Sequence, residues 1–395
     1  MNYLSKSSLC LLAVVTSLTA TAQETLSDKL QYKVTGRMLM DGGVYLRNDN
    51  HFGNGTEFND LRVGMKATYQ RWDMKVEIGY VGSKVSIKDA FATYTSGKHI
   101  IQVGQFYEPF TMDMLCSTFD LRFHQSPGSV LAMTNSRRLG VAYTYNATHY
   151  YACGGLFTDN DISNLKNTSQ GYAVDGRFVY RPVNEAGKLL HLGIAAIYRT
   201  PDGALPDDDN KNTFVYKSAG VSTIDNRNLI YAEVDNARHQ VKLGTELLIY
   251  YGKFFFQSEY IRTQVKRRNG LADYTGQGGY AQCSWLLIGD TYDYDAAPAC
   301  PSRPIGRALE LCGRFNIVDM NDRTAEVLGG AQKDFSLGLN YYINKHIGIK
   351  VNYSYVIPGK HIREISDKNF SVLQARFQFI PVSYTHLTLP TNSLV

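Results

Sequence analysis

Charged side chains in this chain recur at every second position over long stretches, with apolar residues between them. Asp60, Arg62 and Lys66 alternate with Leu61, Val63, Met65 and Ala67, and Asp73, Lys75 and Glu77 alternate with Trp72, Met74, Val76 and Ile78. Side chains two apart on an extended backbone point the same way, so this spacing builds a charged surface suited to recognising solute charge. Followed along the chain, one face collects Lys33, Arg37, Arg62, Lys66, Lys75, Arg177, Arg199, Lys242, Arg314, Lys350 and Arg376. The same face collects Asp41, Asp60, Asp73, Glu77, Asp175, Glu246 and Glu310. Basic groups are in excess, and rings of Arg and Lys at a narrow place favour anions. The competing reading is mutual neutralisation between neighbouring strands, for instance Arg62 with Asp60 or Asp73.

Covalent chemistry has few candidates. A hydrolase would need a Ser or similar nucleophile beside a His. His99, His191 and His239 have no Ser–acid arrangement readable around them, and neither a nucleophile elbow nor a metal-ligand pair occurs. The expectation is a non-enzyme with no cofactor and no metal. Five of the six cysteines lie beyond the first 22 residues: Cys116, Cys153, Cys283, Cys300 and Cys312. Their spacings match no metal motif. Cys300 and Cys312 form one conceivable pair in an oxidising compartment, and the others read as small apolar filler.

The compartment is signalled at the start. Lys6, the apolar run Leu9–Val15 and Ala20-Thr21-Ala22 have the layout of a secretory leader, with the mature chain expected from Gln23. That run is too short to span a bilayer, which takes about 20 residues. A barrel strand shows only one apolar face, so a β-barrel membrane protein is compatible with the absence of any later long apolar run. The 28 Tyr, 18 Phe and 34 Gly against 11 Pro suit that class, because Tyr is half apolar and half wet at a membrane interface. A net charge of +5 is too mild and diffuse for a nucleic-acid surface.

The charged faces therefore need strands to carry them. Period two predicts an all-β fold, a transmembrane antiparallel β-barrel of about 16 strands. These lie near 31–46, 58–69, 72–81, 85–95, 98–107, 137–146, 148–157, 171–181, 188–199, 237–250, 253–265, 272–288, 306–318, 331–344, 346–356 and 370–380. The strands at 85–95, 98–107 and 272–288 alternate least cleanly. Short connections such as Gln70-Arg71 and Asn344-Lys345-His346 alternate with long ones; the tight 82–84 loop and the long 289–305 turn break the rule. A soluble β-sandwich would also alternate, but it would leave open edges and would not repeat strands of barrel length. With lipid outside, the polar face lines a lumen. The candidate pore-lining residues are Arg37, Arg62, Lys66, Lys75, Arg122, Arg177, Arg314 and Arg376. The segment 108–136 is too long for a hairpin and is expected to fold inward, carrying Ser117, Thr118, Arg122, His124 and Ser126.

The series Val85-Ser86-Ile87-Lys88-Asp89-Ala90-Phe91, then Gln102-Val103-Gly104-Gln105-Phe106, Pro109-Phe110 and Arg138-Leu139-Gly140-Val141, resembles the phosphate-selective porins O and P. Gly36-Arg37 with Asp41, Leu309-Glu310-Leu311 with Arg314, and Leu337-Gly338-Leu339-Asn340-Tyr341-Tyr342 continue it over nearly the whole mature chain. The resemblance implies a sixteen-stranded barrel in the outer membrane of a Gram-negative bacterium, usually trimeric, with an inward third loop and a basic pore. It places Ser117, Thr118 and Arg122 in the constricting loop. Family members often carry an Arg-Arg pair at the start of strand two, where this chain reads Phe58-Asn59-Asp60.

The expected partners are therefore small anions or other small polar solutes, outer-membrane lipid and two further copies of the chain. The leading reading is passive diffusion of such solutes, with an anion or phosphate preference as the finer expectation. A plugged barrel serving as an adhesin or structural protein, and an outer-membrane lipid hydrolase, are the alternatives. The expected organisation is a leader over 1–22, a barrel over 23–380 and a tail over 381–395. The tail runs past the aromatic end expected after Phe377 and Phe379, and reads as foreign sequence.

Overall fold

The computed structural model describes residues 30–47, 49–81, 84–159, 169–203, 212–362 and 364–381. The leader, the acidic run Asp207-Asp208-Asp209 and the tail beyond residue 381 lie outside the described residues.

The first nine strands are β1 (Gln31–Leu46), β2 (Gly55–Tyr69), β3 (Trp72–Val81), β4 (Lys84–Ser96), β5 (His99–Phe106), β6 (Arg138–Asn146), β7 (Tyr150–Thr158), β8 (Tyr172–Glu185) and β9 (Lys188–Arg199). A small hairpin follows, β10 (Phe214–Ser218) with β11 (Ile230–Val234). Next come β12 (Ala237–Tyr251), β13 (Phe254–Arg267) and β14 (Tyr274–Ile288), then a second hairpin, β15 (Tyr292–Asp295) with β16 (Cys300–Pro304). The chain closes with β17 (Ala308–Asp322), β18 (Val327–Tyr342), β19 (Ile347–Pro358) and β20 (Phe370–Phe379).

All strands except the two hairpins join one closed antiparallel barrel of 16, sealed by β1 against β20 from Met38↔Phe379 to Leu46↔Ser371. Closure removes both sheet edges, which is what allows strands to cross hydrocarbon. The outer face is apolar: Val63, Met74, Leu156, Leu243, Trp285, Leu337 and Val351 are all exposed. Such a belt is stable only against lipid. Around the short-turn end, aromatic rings pair outside, with Trp72 5.0 Å from Tyr94 and Tyr150 stacked 5.3 Å from Tyr180. These form the girdle expected at a membrane interface.

Connections that the sequence leaves as a 200–236 loop and a 289–305 turn each contain a hairpin. Both fold into the lumen, where isolated two-stranded ribbons gain the burial they lack in water. The long connection after β5 also folds inward, with two short helices, α1 (Met112–Leu115) and α2 (Gly128–Met133). Strands β17 and β18 run past their expected ends, to Asp322 and from Val327, because pairing continues beyond the apolar belt.

Candidate functional site

The inward loop lies against one half of the barrel. Wall cations and amides catch its carbonyls: Arg376 donates to His124 O (2.8 Å), Arg314 to Gln125 O (2.8 Å) and Lys242 to Met133 O (2.6 Å). Asn340 donates to Arg122 O (2.8 Å), and Lys350 to Phe119 O (3.3 Å) and Leu121 O. The helix starts are met from the same wall. Glu259 accepts the Met112 and Asp113 amides (3.0 and 2.9 Å), and Asn316 accepts that of Ser129 (3.1 Å). Orphan amides at a helix start need such acceptors. All these anchors come from β12–β20, so the space beside the loop opens toward β1–β7.

There the neck lies between Arg37, Arg62, Tyr107 and Arg137 on one side and Asp113, Met114, Thr118 and Ser126 on the other, around a cavity of about 40 Å³. Arg62 bonds Asp60 (2.5 Å) and Glu77 (2.9 Å), and Arg37 bonds Asp60 (3.1 Å) and Ser117 (2.9 Å). Thr118 donates to Asp60 (2.8 Å), so Ser117 and Thr118 bring the loop onto the wall's charge cluster. Toward the turn end the space widens to about 480 Å³, lined by Lys66, Lys75, Asp73, Asp89 and the hairpin's Ala297 and Pro298. Lys75 bonds Asp89 (2.6 Å) and Lys66 bonds Asp73 (3.2 Å).

Two basic residues absent from the sequence-based set complete the neck. Opposite Glu77, the pairing steps from Val76↔Ala90 to Ile78↔Ile87, a bulge that sets both Lys88 and Asp89 against a single partner residue. Asp89 meets Lys75 and Arg137, and Lys88 lies over Gly79, where an added Cβ would stand 2.5 Å from its Cε. Gln105 fastens the bulge by donating to Ile87 O (3.0 Å) and Lys88 O (2.9 Å). Gly104 beside it has φ +130°, and a Cβ there would lie 2.3 Å from Ala90 O. Arg137 is held by Asp89 and by the Tyr107 ring, 4.1 Å away. The signal for Lys88 was in the sequence as two adjacent charges interrupting period two. Arg137 opens the strand expected at 137–146, but the observed strand begins at Arg138 and leaves Arg137 outside the alternation.

The ten residues singled out by sequence thus divide. Arg37, Arg62, Ser117 and Thr118 meet at the neck, and Lys66 and Lys75 line the wider space. Arg122, Arg177, Arg314 and Arg376 stand apart from the neck, buried as fasteners. Arg122 lies 3.9 Å over the Phe255 ring and 3.4 Å from Glu310, and it donates to Ser302 O (2.8 Å). Arg177 makes a two-pronged pair with Glu246 (2.9 and 2.8 Å) and donates to the second hairpin's Pro298 O (2.6 Å) and Ala299 O (2.7 Å). Arg376 grips both oxygens of Asp41 at 2.6 Å. Cysteines 300 and 312 also stand apart: Cys312 faces Arg122 O and Asn340.

Within the loop, burial raises the Asp113 carboxyl above its usual range against the pull of Ser126, Arg314 and Arg122. Burial, followed by Arg376 and Lys350, holds the His124 imidazole well below its ordinary value. Along the wall from the neck into the wider space, Arg37, Arg62, Lys66, Lys75, Lys88 and Arg137 stand against Asp60, Asp73, Glu77 and Asp89, so that cations of this wall exceed its carboxylates.

A closed 16-strand barrel with an apolar belt, an aromatic girdle and a loop narrowing its polar lumen defines an outer-membrane porin. The chain belongs to the family described as phosphate-selective porin O and P, which it matches over residues 33–380. Porin O of Pseudomonas aeruginosa is 24% identical over 400 residues, covering 90% of each chain. An uncharacterised protein of Caulobacter vibrioides is 29% identical over 350 residues, covering 82% of this chain and 68% of its own. Among solved structures, the trimer form of the outer-membrane protein OmpT of Vibrio cholerae superimposes with a TM-score of 0.57 at 11% identity, covering 89% of this chain and all of that one. The protein is a porin of the Gram-negative outer membrane, through which small polar solutes diffuse passively.

Proposed function

We propose that this porin is an anion-preferring channel of small conductance, with phosphate among its substrates, and that it assembles as a homotrimer without enzymatic activity. The observation that carries the reading is the excess of cations over carboxylates along the lumen wall from the neck, a cavity of about 40 Å³, into the wider space. The neck is far smaller than the space of about 480 Å³ beside it. A passing ion must therefore shed hydration and feel the wall charges at short range, where the field is least screened. Arg37, Arg62, Lys88 and Arg137 supply the positive side, and the hydroxyl of Ser117, which accepts from Arg37, keeps its own proton to offer an oxyanion. Where relatives often carry an Arg-Arg pair this chain has Asp60, whose carboxylate cancels part of the charge of Arg37 and Arg62. Family membership and the OmpT trimer favour the phosphate and trimer parts of the reading. Against catalysis, His191 is taken up by Glu246 and the Tyr294 hydroxyl, each 3.0 Å away.

The test is planar-bilayer recording of the refolded mature protein in a potassium chloride gradient, with and without phosphate. Small single-channel currents, an anion-side reversal potential and phosphate block are expected, and Lys88→Glu should move the reversal potential toward the cation side. Unselective currents in wild type and variant alike would leave a general porin on this fold. The filled lumen favours one second reading, a plugged structural barrel, for which no current would flow.

A further inference from the structure

The inward loop and the second hairpin meet in a seam across the lumen. Arg122 of the loop donates to Ser302 O, and Arg303 of the hairpin stands 3.5 Å from Asp120 and 4.4 Å over the Phe119 ring. At the centre of that seam are two cysteines, far apart in sequence. Cys116 ends α1, and Cys300 begins β16. The Cys116 thiol donates to Met112 O (3.1 Å) and to Pro301 O (3.3 Å), the carbonyl of the residue after Cys300; both cysteines are free thiols in this structure. Both are buried in one apolar cluster with Met112, Leu121 and Tyr292. The remaining cysteines have other surroundings: Cys153 takes a bond from Thr144 (3.1 Å), Cys312 faces Arg122 O and Asn340, and Cys283 is exposed on the outer surface.

We propose that Cys116 and Cys300 are joined by a disulfide in the protein as it stands in the outer membrane, tying the constricting loop to the hairpin that floors the wider space. An exported chain passes through an oxidising compartment in which disulfides form and persist. The oxidant is a protein disulfide of the cell envelope. The thiolate of one cysteine attacks it, giving a mixed disulfide and one oxidant thiol. The thiolate of the second cysteine then displaces the remaining oxidant sulfur, so two thiols are oxidised, one disulfide is reduced to a dithiol, and the two protons pass to it. Once the barrel is closed both sulfurs are out of reach of a protein oxidant, and burial disfavours the Cys116 thiolate. Exchange therefore precedes closure, on the unfolded chain. The product fixes the hairpin's Ala297 and Pro298 relative to the neck, so that the neck and the floor of the wider space act as one body.

The protein is extracted from outer membranes without reductant, alkylated in denaturant and mapped by peptide mass spectrometry. Alkyl groups are expected on Cys153, Cys283 and Cys312, with Cys116 and Cys300 recovered in one cross-linked peptide that reduction splits. In Cys116→Ser, Cys300 should become alkylated. Complete alkylation of all five cysteines before reduction, or a bond from Cys116 or Cys300 to any other cysteine, would overturn the proposal.

Discussion

Arg62 and His124 show how a single side chain can act on the solute or on the loop. Arg62 stands between Asp60 and Glu77 at the neck, so Arg62→Glu removes one positive charge and adds a negative one where carboxylates are already close. The reversal potential should swing toward cations; an unchanged potential would remove Arg62 from the selective site. His124 faces Arg376 of β20, Lys350 of β19 and Arg314 of β17, and it stays neutral when the loop is docked. An undocked loop would regain an ordinary imidazole, so below a pH of about 6.5 the free loop binds a proton that the docked loop refuses. Docking then weakens by up to about 1.4 kcal/mol for each pH unit. Buried Asp113 and Asp120, both raised by burial, act in the opposite sense. Comparison with His124→Gln isolates the histidine: open-channel noise should rise on acidification in wild type and less in the variant.

At the scale of elements, the motif that carries the family resemblance is a scaffold. Val85–Phe91 and Gln102–Phe106 form β4 and β5 around the bulge that presents Lys88 and Asp89 together. Gly104 permits it, because a side chain there would both require a left-handed backbone and strike Ala90 O. Gly104→Ala should lower the thermal unfolding temperature of the detergent-solubilised barrel and reduce anion preference. Full selectivity in a folded Gly104→Ala barrel would separate the bulge from the neck. Alternation made β1, β3, β9 and β19 legible in sequence nearly to the residue, because one face is fixed by lipid and the other by water. At β4 the strand read at 85–95 stands at Lys84–Ser96, but alternation lost its phase, because a bulge shifts which side chains face the lumen, and missed Lys88 for that reason. Nor could it tell which lumen cations hold the loop. Arg314 and Arg376 have the same periodic signature as Arg37 and Arg62, and only the side on which the loop docks separates them.

For the whole molecule, the balance is between a lipid-facing exterior and a lumen dense in paired charge. Leu337 lies on the outer face of β18, 64% exposed. Leu337→Arg should cost about 2–4 kcal/mol if that position is near the bilayer midplane. Denaturant titration into lipid vesicles would read the difference, and a loss near zero would put the position at the interface. Inside, Arg177 with Glu246 and Arg376 with Asp41 are buried pairs, for which removing one partner typically costs about 3–5 kcal/mol. The hairpins within 200–236 and 289–305 were illegible because short strands without a lipid face lack the long alternating pattern.

The fastening of the loop also orders assembly in time. Its carbonyls are held by Lys350, Arg376 and Gln378, residues 229 to 259 positions further along the chain. The loop emerges from the secretion machinery long before its anchors do, and its seat is incomplete until β19 and β20 arrive and the last seam zips onto β1. Insertion of the barrel and narrowing of its passage are thus successive events, and a nascent barrel stalled before closure would be a leaky one. Protease protection of residues 108–136 should accordingly appear only after the strands have sealed.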